Sequence, residues 1–465
     1  MKPPPESARS TPAWVDDANA ALLTDLYQLT MLQAYWREGM DREATFSLFF
    51  RRLPAARNYL LACGLEDVLR YLENLRFGGE SLEYLATLGH FSPPFLDWLG
   101  KLRFTGSVYA VAEGTPVFPD EPILEVEAPL PQAQIIESFA MNQVHFQTVA
   151  ASKGARVVEA AAARTVVDFG LRRMHGADAG MKAARAFHVA GVAATSNVLA
   201  GKVYGVPVTG TMAHSYVQAH EGGELDAFRA FAGLYPETVL LVDTYDTLAG
   251  VDRVIALARE LGDGFRVKAI RLDSGDLAEL ARAARGRLDA AGLERVGIFA
   301  SGGLDEHKIA RLVAAGAPID GFGVGTGMGV SRDAPDFDVV YKMTSYAGTG
   351  RLKLSPGKPI LPGRKQVFRR RQEGRAAGDV LARESEELEG RAAPGRPLLR
   401  QVMAGGERLP AGRVGLEESR AHARREIAEL PPRIRSLEPC SEPYPVAVSA
   451  ELRAYERRIR EAVAP

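Results

Sequence analysis

The hydrophobic rhythm of the chain changes near residue 164. Before it, residues 22–39 place apolar groups one turn apart, with Thr24 or Asp25 as an N-cap and Gly39 as a stop, which predicts an amphipathic helix. Residues 44–50 (ATFSLFF) are aromatic and β-branched, as in a strand, and 64–75 return to a helical period. The segment 104–128 alternates apolar and polar positions around two turn clusters, which predicts short antiparallel strands, and 133–163 is Ala-rich and helical.

From there short apolar runs recur at 165–169, 206–209, 239–242, 267–272, 296–300 and 319–324, with a further candidate at 191–194. Each ends in small or polar residues and is followed by a helical stretch. Strand-then-helix repetition predicts a parallel sheet whose strands are buried on both faces. Six or seven such units favour a closed or nearly closed TIM-like barrel over an open sheet. After Tyr341 the rhythm fades. Residues 364–426 are dense in Arg, Gly and Glu and predict a loop-rich, partly strand-forming region, and 449–462 predicts a last helix.

Composition narrows the class. The 465 residues are 46% hydrophobic, enough for a large core, and 57 Lys plus Arg balance 58 Asp plus Glu. Balanced charge gives no reason to expect a nucleic-acid or membrane partner. No run approaches a membrane span, and the N-terminus lacks the apolar centre of a signal peptide, so residues 1–15 read as a disordered lead-in. Cys63 and Cys440 stand far apart and read as free thiols in a reducing compartment. The expectation is a cytoplasmic enzyme.

In a TIM-like barrel the working residues follow the strands. At those positions stand Asp168 to Arg173, Gly210 to Ser215, Asp243 to Asp246, Arg271 to Asp276, Ser301 to Gly303, and Gly323 to Gly329. Two consecutive Gly-rich turns near the barrel's end suit a phosphate, because backbone N–H groups approach it closely there. Arg172, Arg173 and Arg271 add bidentate donors, although any one of them alone reads as a surface ion pair. Asp243, Asp246, Asp273 and Asp276 are hard oxygen donors suited to Mg²⁺ beside substrate phosphates; Asp276 serves equally well as a helix cap, and Asp273 less so. A lone histidine is more often structural than catalytic, but His214 stands among small residues and imidazole accepts a phosphoryl group well. His175 is a weaker candidate for the same mouth, and His220 reads as surface. The residues alone support a barrel enzyme acting on a phosphorylated substrate and leave the reaction open.

Taken together, TDLYQLTM at 24–31, FFR at 49–51, GLED at 64–67, DFGLRR at 168–173, TSNVLAG at 195–201, GTMAHS at 210–215 and RLDSGDL at 271–277 resemble nicotinate phosphoribosyltransferase, in that family's order and over roughly residues 20–370. The resemblance implies an α/β protein of the type II phosphoribosyltransferase kind: an irregular, broken TIM-like barrel (151–345) and an α/β domain (16–150) completed by the C-terminal region (346–465). It implies ATP-coupled transfer of a phosphoribosyl group from 5-phosphoribosyl 1-pyrophosphate to nicotinate, giving nicotinate mononucleotide for NAD salvage, with Mg²⁺, in a homodimer whose active sites lie at the subunit interface. By position, His214 would be phosphorylated by ATP. Tyr27 of the other subunit and Phe169 would sandwich the pyridine ring. Thr211 and Arg271 would line the nicotinate site, and Arg172 would meet a phosphate or carboxylate. Asp273 would hold ribose hydroxyls or Mg²⁺. Gly302, Gly303, Gly325 and Thr326 would hold the 5′-phosphate. Nicotinamide phosphoribosyltransferase is the nearest competitor; it carries Asp where this chain has Ser196, and Ser196 removes the repulsion a carboxylate would meet. The chain departs from the pattern at Gly302 and Gly303, where many members have Asn.

Overall fold

The computed structural model of the chain describes residues 15–354, 360–386 and 395–463. The lead-in proposed for residues 1–15 lies, except for Val15, outside them. The first predicted helix forms over Leu26–Glu38 after Asp25 and stops at Gly39, whose φ of 64° is the left-handed C-cap conformation. Glu43–Phe50 is a strand buried at every position but the first. It lies inside an antiparallel seven-stranded sheet ordered Thr349–Gly350, Val339–Tyr346, Glu43–Phe50, Leu124–Pro129, Ser107–Ala110, Arg400–Ala404 and Glu407–Arg408. C-terminal strands therefore flank N-terminal ones.

The runs after 164 form a second sheet, parallel and six-stranded, ordered Ala194–Thr195, Thr165–Asp168, Gly321–Val324, Gly297–Ala300, Ala269–Leu272 and Val239–Leu241. The 206–209 run adds only a bridge from Val208 to Thr195. No ladder joins it to Val239–Leu241 among the described residues, so a seam stays open between the two edges of the sheet. Pro207 has no N–H to donate, which shortens this strand. Residues 210–214 follow this run, and Thr211 and His214 contact Arg271 and Thr244.

The helix Glu137–Ala160 couples the two sheets. Its first half gives Phe139, Ala140 and Val144 to the core around the antiparallel sheet. Its second half gives Ala151, Ala155 and Val157 to the core of the parallel sheet. The small residues of that half let the helix Ala177–Val189 approach closely: a Cβ at Gly154 would meet Phe187 and Ala190 at 3.1 Å.

The region 364–426 is more ordered than its composition suggested. Lys365–Gln372 and Arg375–Arg383 form a hairpin, flanked by Arg396–Pro397 and Val446–Val448, and Leu416–Glu429 is a helix that the pattern did not show. Internal ion pairs make up for the missing apolar residues. Arg369, almost fully buried, binds Asp379 Oδ2 at 2.7 Å and reaches Glu426. The last helix covers Ala450–Val463. Both cysteines are free. No helix among the described residues is long and apolar enough to cross a membrane.

Candidate active site

In a parallel sheet every strand delivers its C-terminal residue to one edge, and the predicted residues gather there. Thr165–Asp168 ends in a buried carboxylate that accepts from Gly170 N (2.7 Å) and Thr195 Oγ1 (2.8 Å). Burial raises the Asp168 pKa, and these two donors oppose the rise. Backbone bonds hold the two candidate residues beside it. Phe169, whose N–H donates to Val324 O at 2.9 Å, is held in the turn, and Ser196 N donates to Asp168 O at 2.9 Å. A Cβ at Gly323 would overlap the Phe169 ring, so this glycine lets the ring lie against the next strand.

Arg271 projects from Ala269–Leu272. Its Nη1 donates to Thr211 Oγ1 (2.5 Å) and Met212 O (3.3 Å), its Nη2 to Asp273 Oδ1 (3.3 Å), and its guanidinium lies 5.8 Å from the Phe169 ring centre. The Arg271 side chain is only 13% exposed, and its buried Nε has no partner among the described residues. A flat ring beside a positioned cation with a donor to spare suits an aromatic carboxylate. Ser301 Oγ also donates to Asp273 Oδ1.

His214 opens the short helix His214–Gln218 across the seam, and its Nδ1 pairs with Thr244 Oγ1 at 3.2 Å. Nε2 is left without a partner among the described residues. Thr244 therefore orients the imidazole, a role the sequence reading did not single out. The next residue back, Asp243, accepts from Asp273 N (2.9 Å) and Ser274 Oγ (2.6 Å) through one oxygen, while its buried Oδ1 has no partner among the described residues.

Two of the four candidate metal acids are caps. Asp246 accepts from Ala249 N at 2.7 Å, and Asp276 accepts from Ala278 N and Glu279 N at 3.0 Å. This favours the capping alternative for Asp276 and gives Asp246 the same role. No cluster of three or more His, Cys, Asp or Glu suited to a metal exists among the described residues. Asp273 and the unpaired oxygen of Asp243 fit an Mg²⁺ that takes most of its ligands from water and substrate.

The glycine departure has a backbone cause. Gly302 has φ +90°, and a Cβ there would overlap the Asp273 carbonyl, so only glycine fits. Gly303 has φ +61° with the Lys308 ammonium 3.6 Å from its would-be Cβ, a conformation that Asn also tolerates. Gly325 precedes the turn Thr326–Gly329 on the following strand. Between these turns lies a cavity of about 130 Å³ lined by Gly303, Gly327, Lys153, Arg332 and Asp333. Lys153 and Arg332 were not singled out from sequence; Lys153 sits in a helix far from any strand end, where no motif flags it.

Other expected residues are not gathered in. Arg172, Arg173 and His175 are exposed beyond Phe169, without polar side-chain partners among the described residues. His220 bonds Tyr216 O at 2.9 Å, within its own turn. Tyr27 is 49% exposed, and its hydroxyl accepts from Gln28 Nε2 at 2.8 Å rather than meeting a barrel residue.

Comparison with known proteins agrees along most of the chain. Residues 22–145 match the model of the nicotinate phosphoribosyltransferase N-terminal domain, and 165–381 match that of the nicotinate phosphoribosyltransferase family. A nicotinate phosphoribosyltransferase of Mycobacterium tuberculosis is 55% identical over 442 residues, 95% of this chain and 94% of the relative. One from Bacillus subtilis is 44% identical over 382 residues, covering 80% and 78%. The crystal structure of human nicotinic acid phosphoribosyltransferase superposes with a TM-score of 0.81 at 31% identity, covering 94% of this chain and 99% of that one. With both halves of the family pattern matched in order, the chain belongs to the nicotinate phosphoribosyltransferase family.

Proposed function

We propose that this protein transfers the phosphoribosyl group of 5-phosphoribosyl 1-pyrophosphate to nicotinate, coupled to ATP hydrolysis, and yields nicotinate mononucleotide for NAD salvage in the cytoplasm. The observation that carries the proposal is the juxtaposition of Phe169 with Arg271 and its spare Nε donor. The nicotinate ring lies on Phe169 and its carboxylate on Arg271, which leaves the ring nitrogen directed at the sugar. The C1–N bond forms as the bond from C1 to pyrophosphate breaks. Negative charge grows on the leaving group while C1 becomes cationic, and Arg172, exposed beyond Phe169, would have to swing in to meet that negative charge. Asp273, and Asp243 through its unpaired oxygen, would hold Mg²⁺, which supplies charge neutralisation at pyrophosphate when bound. Gly302, Gly303, Gly325 and Thr326 offer backbone and hydroxyl donors to the 5′-phosphate. His214 receives the ATP phosphoryl group on Nε2, the nitrogen that Thr244 leaves free.

The fold reading extends the same way: a type II phosphoribosyltransferase barrel over 151–345 and an α/β domain from 16–150 completed by 346–465. The pairing of Arg400–Ala404 with Ser107–Ala110 supports the return of the C-terminal region, although Val339–Tyr346 already pairs with Glu43–Phe50. A homodimer is part of the proposal, because Tyr27 has no barrel partner among the described residues and would reach the Phe169 site of the other subunit.

Incubating the protein with nicotinate, the phosphoribosyl donor, Mg²⁺ and ATP is expected to yield mononucleotide, with nicotinamide a much poorer acceptor. His214→Ala is expected to abolish ATP stimulation. A preference for nicotinamide, or no product, refutes the reaction; full ATP stimulation in His214→Ala refutes the phosphohistidine.

A further inference from the structure

Behind the two glycine turns lies a group of charges that the reaction above does not use. Lys153 Nζ, with its side chain 3% exposed, contacts Glu306 Oε2 at 2.5 Å and Asp333 Oδ1 at 2.6 Å. Glu306, fully buried, also receives Arg156 Nε at 2.9 Å. Asp333 also receives Arg57 Nη1 at 2.5 Å. The two carboxylates belong to different turns. Glu306 is the first residue of the helix Glu306–Ala314, which follows the Gly302–Gly303 turn. Asp333 follows the Thr326–Gly329 turn and adjoins Arg332. The turns already touch, since a Cβ at Gly327 would lie 2.9 Å from Leu304 O.

Buried ion pairs are weak stabilisers, and apolar packing of equal volume often serves a fold as well or better. Gathering three cations and two carboxylates exactly where two phosphate-directed turns meet is therefore better explained by geometry than by stability. The contacts keep both carboxylates ionised: burial alone would raise the Glu306 and Asp333 pKa values, but the Lys153, Arg156 and Arg57 contacts outweigh it and hold them below the usual range. A charge-assisted bond to each carboxylate also fixes direction as well as distance.

We propose that Lys153 is a positioning residue for the phosphate end of the donor: held between Glu306 and Asp333, it sets the spacing of the two glycine turns and the place of Arg332 on the cavity they share. The proposal rests on the phosphoribosyl reading above. It predicts a selective effect, because the Phe169–Arg271 pocket lies on other strands and shares none of these contacts.

Two variants test it, Lys153→Met and the milder Asp333→Asn, which cuts the tie to the second turn but keeps Lys153 paired with Glu306. Thermal melts establish that each is folded, and Asp333→Asn stands alone if Lys153→Met is not. Calorimetry with ribose 5-phosphate is expected to show about tenfold weaker binding, with nicotinate affinity within about twofold of wild type. In turnover, KM for the phosphoribosyl donor should rise by a similar factor while kcat holds. Wild-type ribose 5-phosphate affinity in folded Asp333→Asn overturns the proposal, as does an equal loss of nicotinate affinity or a wild type that binds no ribose 5-phosphate. A wild type that binds ribose 5-phosphate but makes no mononucleotide refutes the assigned reaction instead, and the calorimetric comparison still decides the role of Lys153.

Discussion

Ser196 is half-buried beside the Phe169 turn, and the proposed function assigns it the choice of acceptor. Its amide is anchored to Asp168 O, and its neighbour Thr195 bonds the Asp168 carboxylate, so the side chain is held beside the Phe169 turn by its backbone. A neutral hydroxyl there tolerates a substrate carboxylate, whereas a second carboxylate would oppose it in a water-poor site. Ser196→Asp is expected to cut kcat/KM for nicotinate by about a hundredfold, like-charge contact costing several kcal/mol, and to raise activity with nicotinamide. Steady-state kinetics with both acceptors reads this; an unchanged ratio removes Ser196 from the specificity argument. Asp168 illustrates a limit of motif reading. It lies inside DFGLRR, but its contribution, two hydrogen bonds that hold its neighbours, depends on a threonine 27 residues away.

At the scale of elements, one first turn is closed by a side chain from elsewhere in the chain. The helix Leu65–Asn74 begins at Gly64, which has no capping side chain, and Glu113 supplies the cap instead: its Oε1 accepts from Gly64 N (2.7 Å) and Leu65 N (3.1 Å). Arg185, on the barrel-side helix Ala177–Val189, pairs with Glu113 Oε2 at 2.5 Å. Burial alone would raise the Glu113 pKa, but Arg185 and the amide donors outweigh it and hold it below the ordinary range. A depressed carboxylate favours folding above its unfolded pKa and loses that contribution as pH falls through the folded value. Glu113→Gln, which strands a buried guanidinium, is expected to cost about 3 kcal/mol at pH 7 by urea unfolding. The gap from wild type should shrink as the pH is lowered below about 4. A gap independent of pH would mean that the charge is not what stabilises the junction.

For the whole molecule, the unfinished features point to a second copy. Besides Tyr27, the short helix Val198–Tyr204 next to Ser196 leaves Val198 72% and Leu199 55% exposed. Exposed apolar side chains grouped beside a site mark an interface more often than open surface. If Tyr27 serves the partner's ring site, Tyr27→Ala and Arg271→Ala homodimers are each impaired, but mixing them regenerates one intact site in each hybrid. Recovery of about a quarter of wild-type activity after subunit exchange is the expected result. No recovery, or a monomer by sedimentation, argues that each chain completes its own site.

Much of this architecture is legible in the residues themselves. Five of the seven apolar runs locate parallel strands to within two positions, because a strand buried on both faces has little choice of composition; 191–194 begins three residues before Ala194–Thr195, and 206–209 forms only a bridge. The positions of Phe169, Arg271 and Asp273 in or just after parallel strands are likewise readable, whereas Thr211 and His214 follow a run that forms only a bridge. The region 364–426 was under-read because its order comes from pairs such as Arg369 with Asp379, which resemble surface charge until burial shows otherwise. The open seam, the bond from Thr244 to His214 and the Lys153 clamp depend on which segments meet in space. Lys153 contacts residues 153 and 180 positions away, and no local pattern encodes contacts of that range. Periodicity reports how one segment faces the core; the meeting of two segments is settled by the packing of all the others.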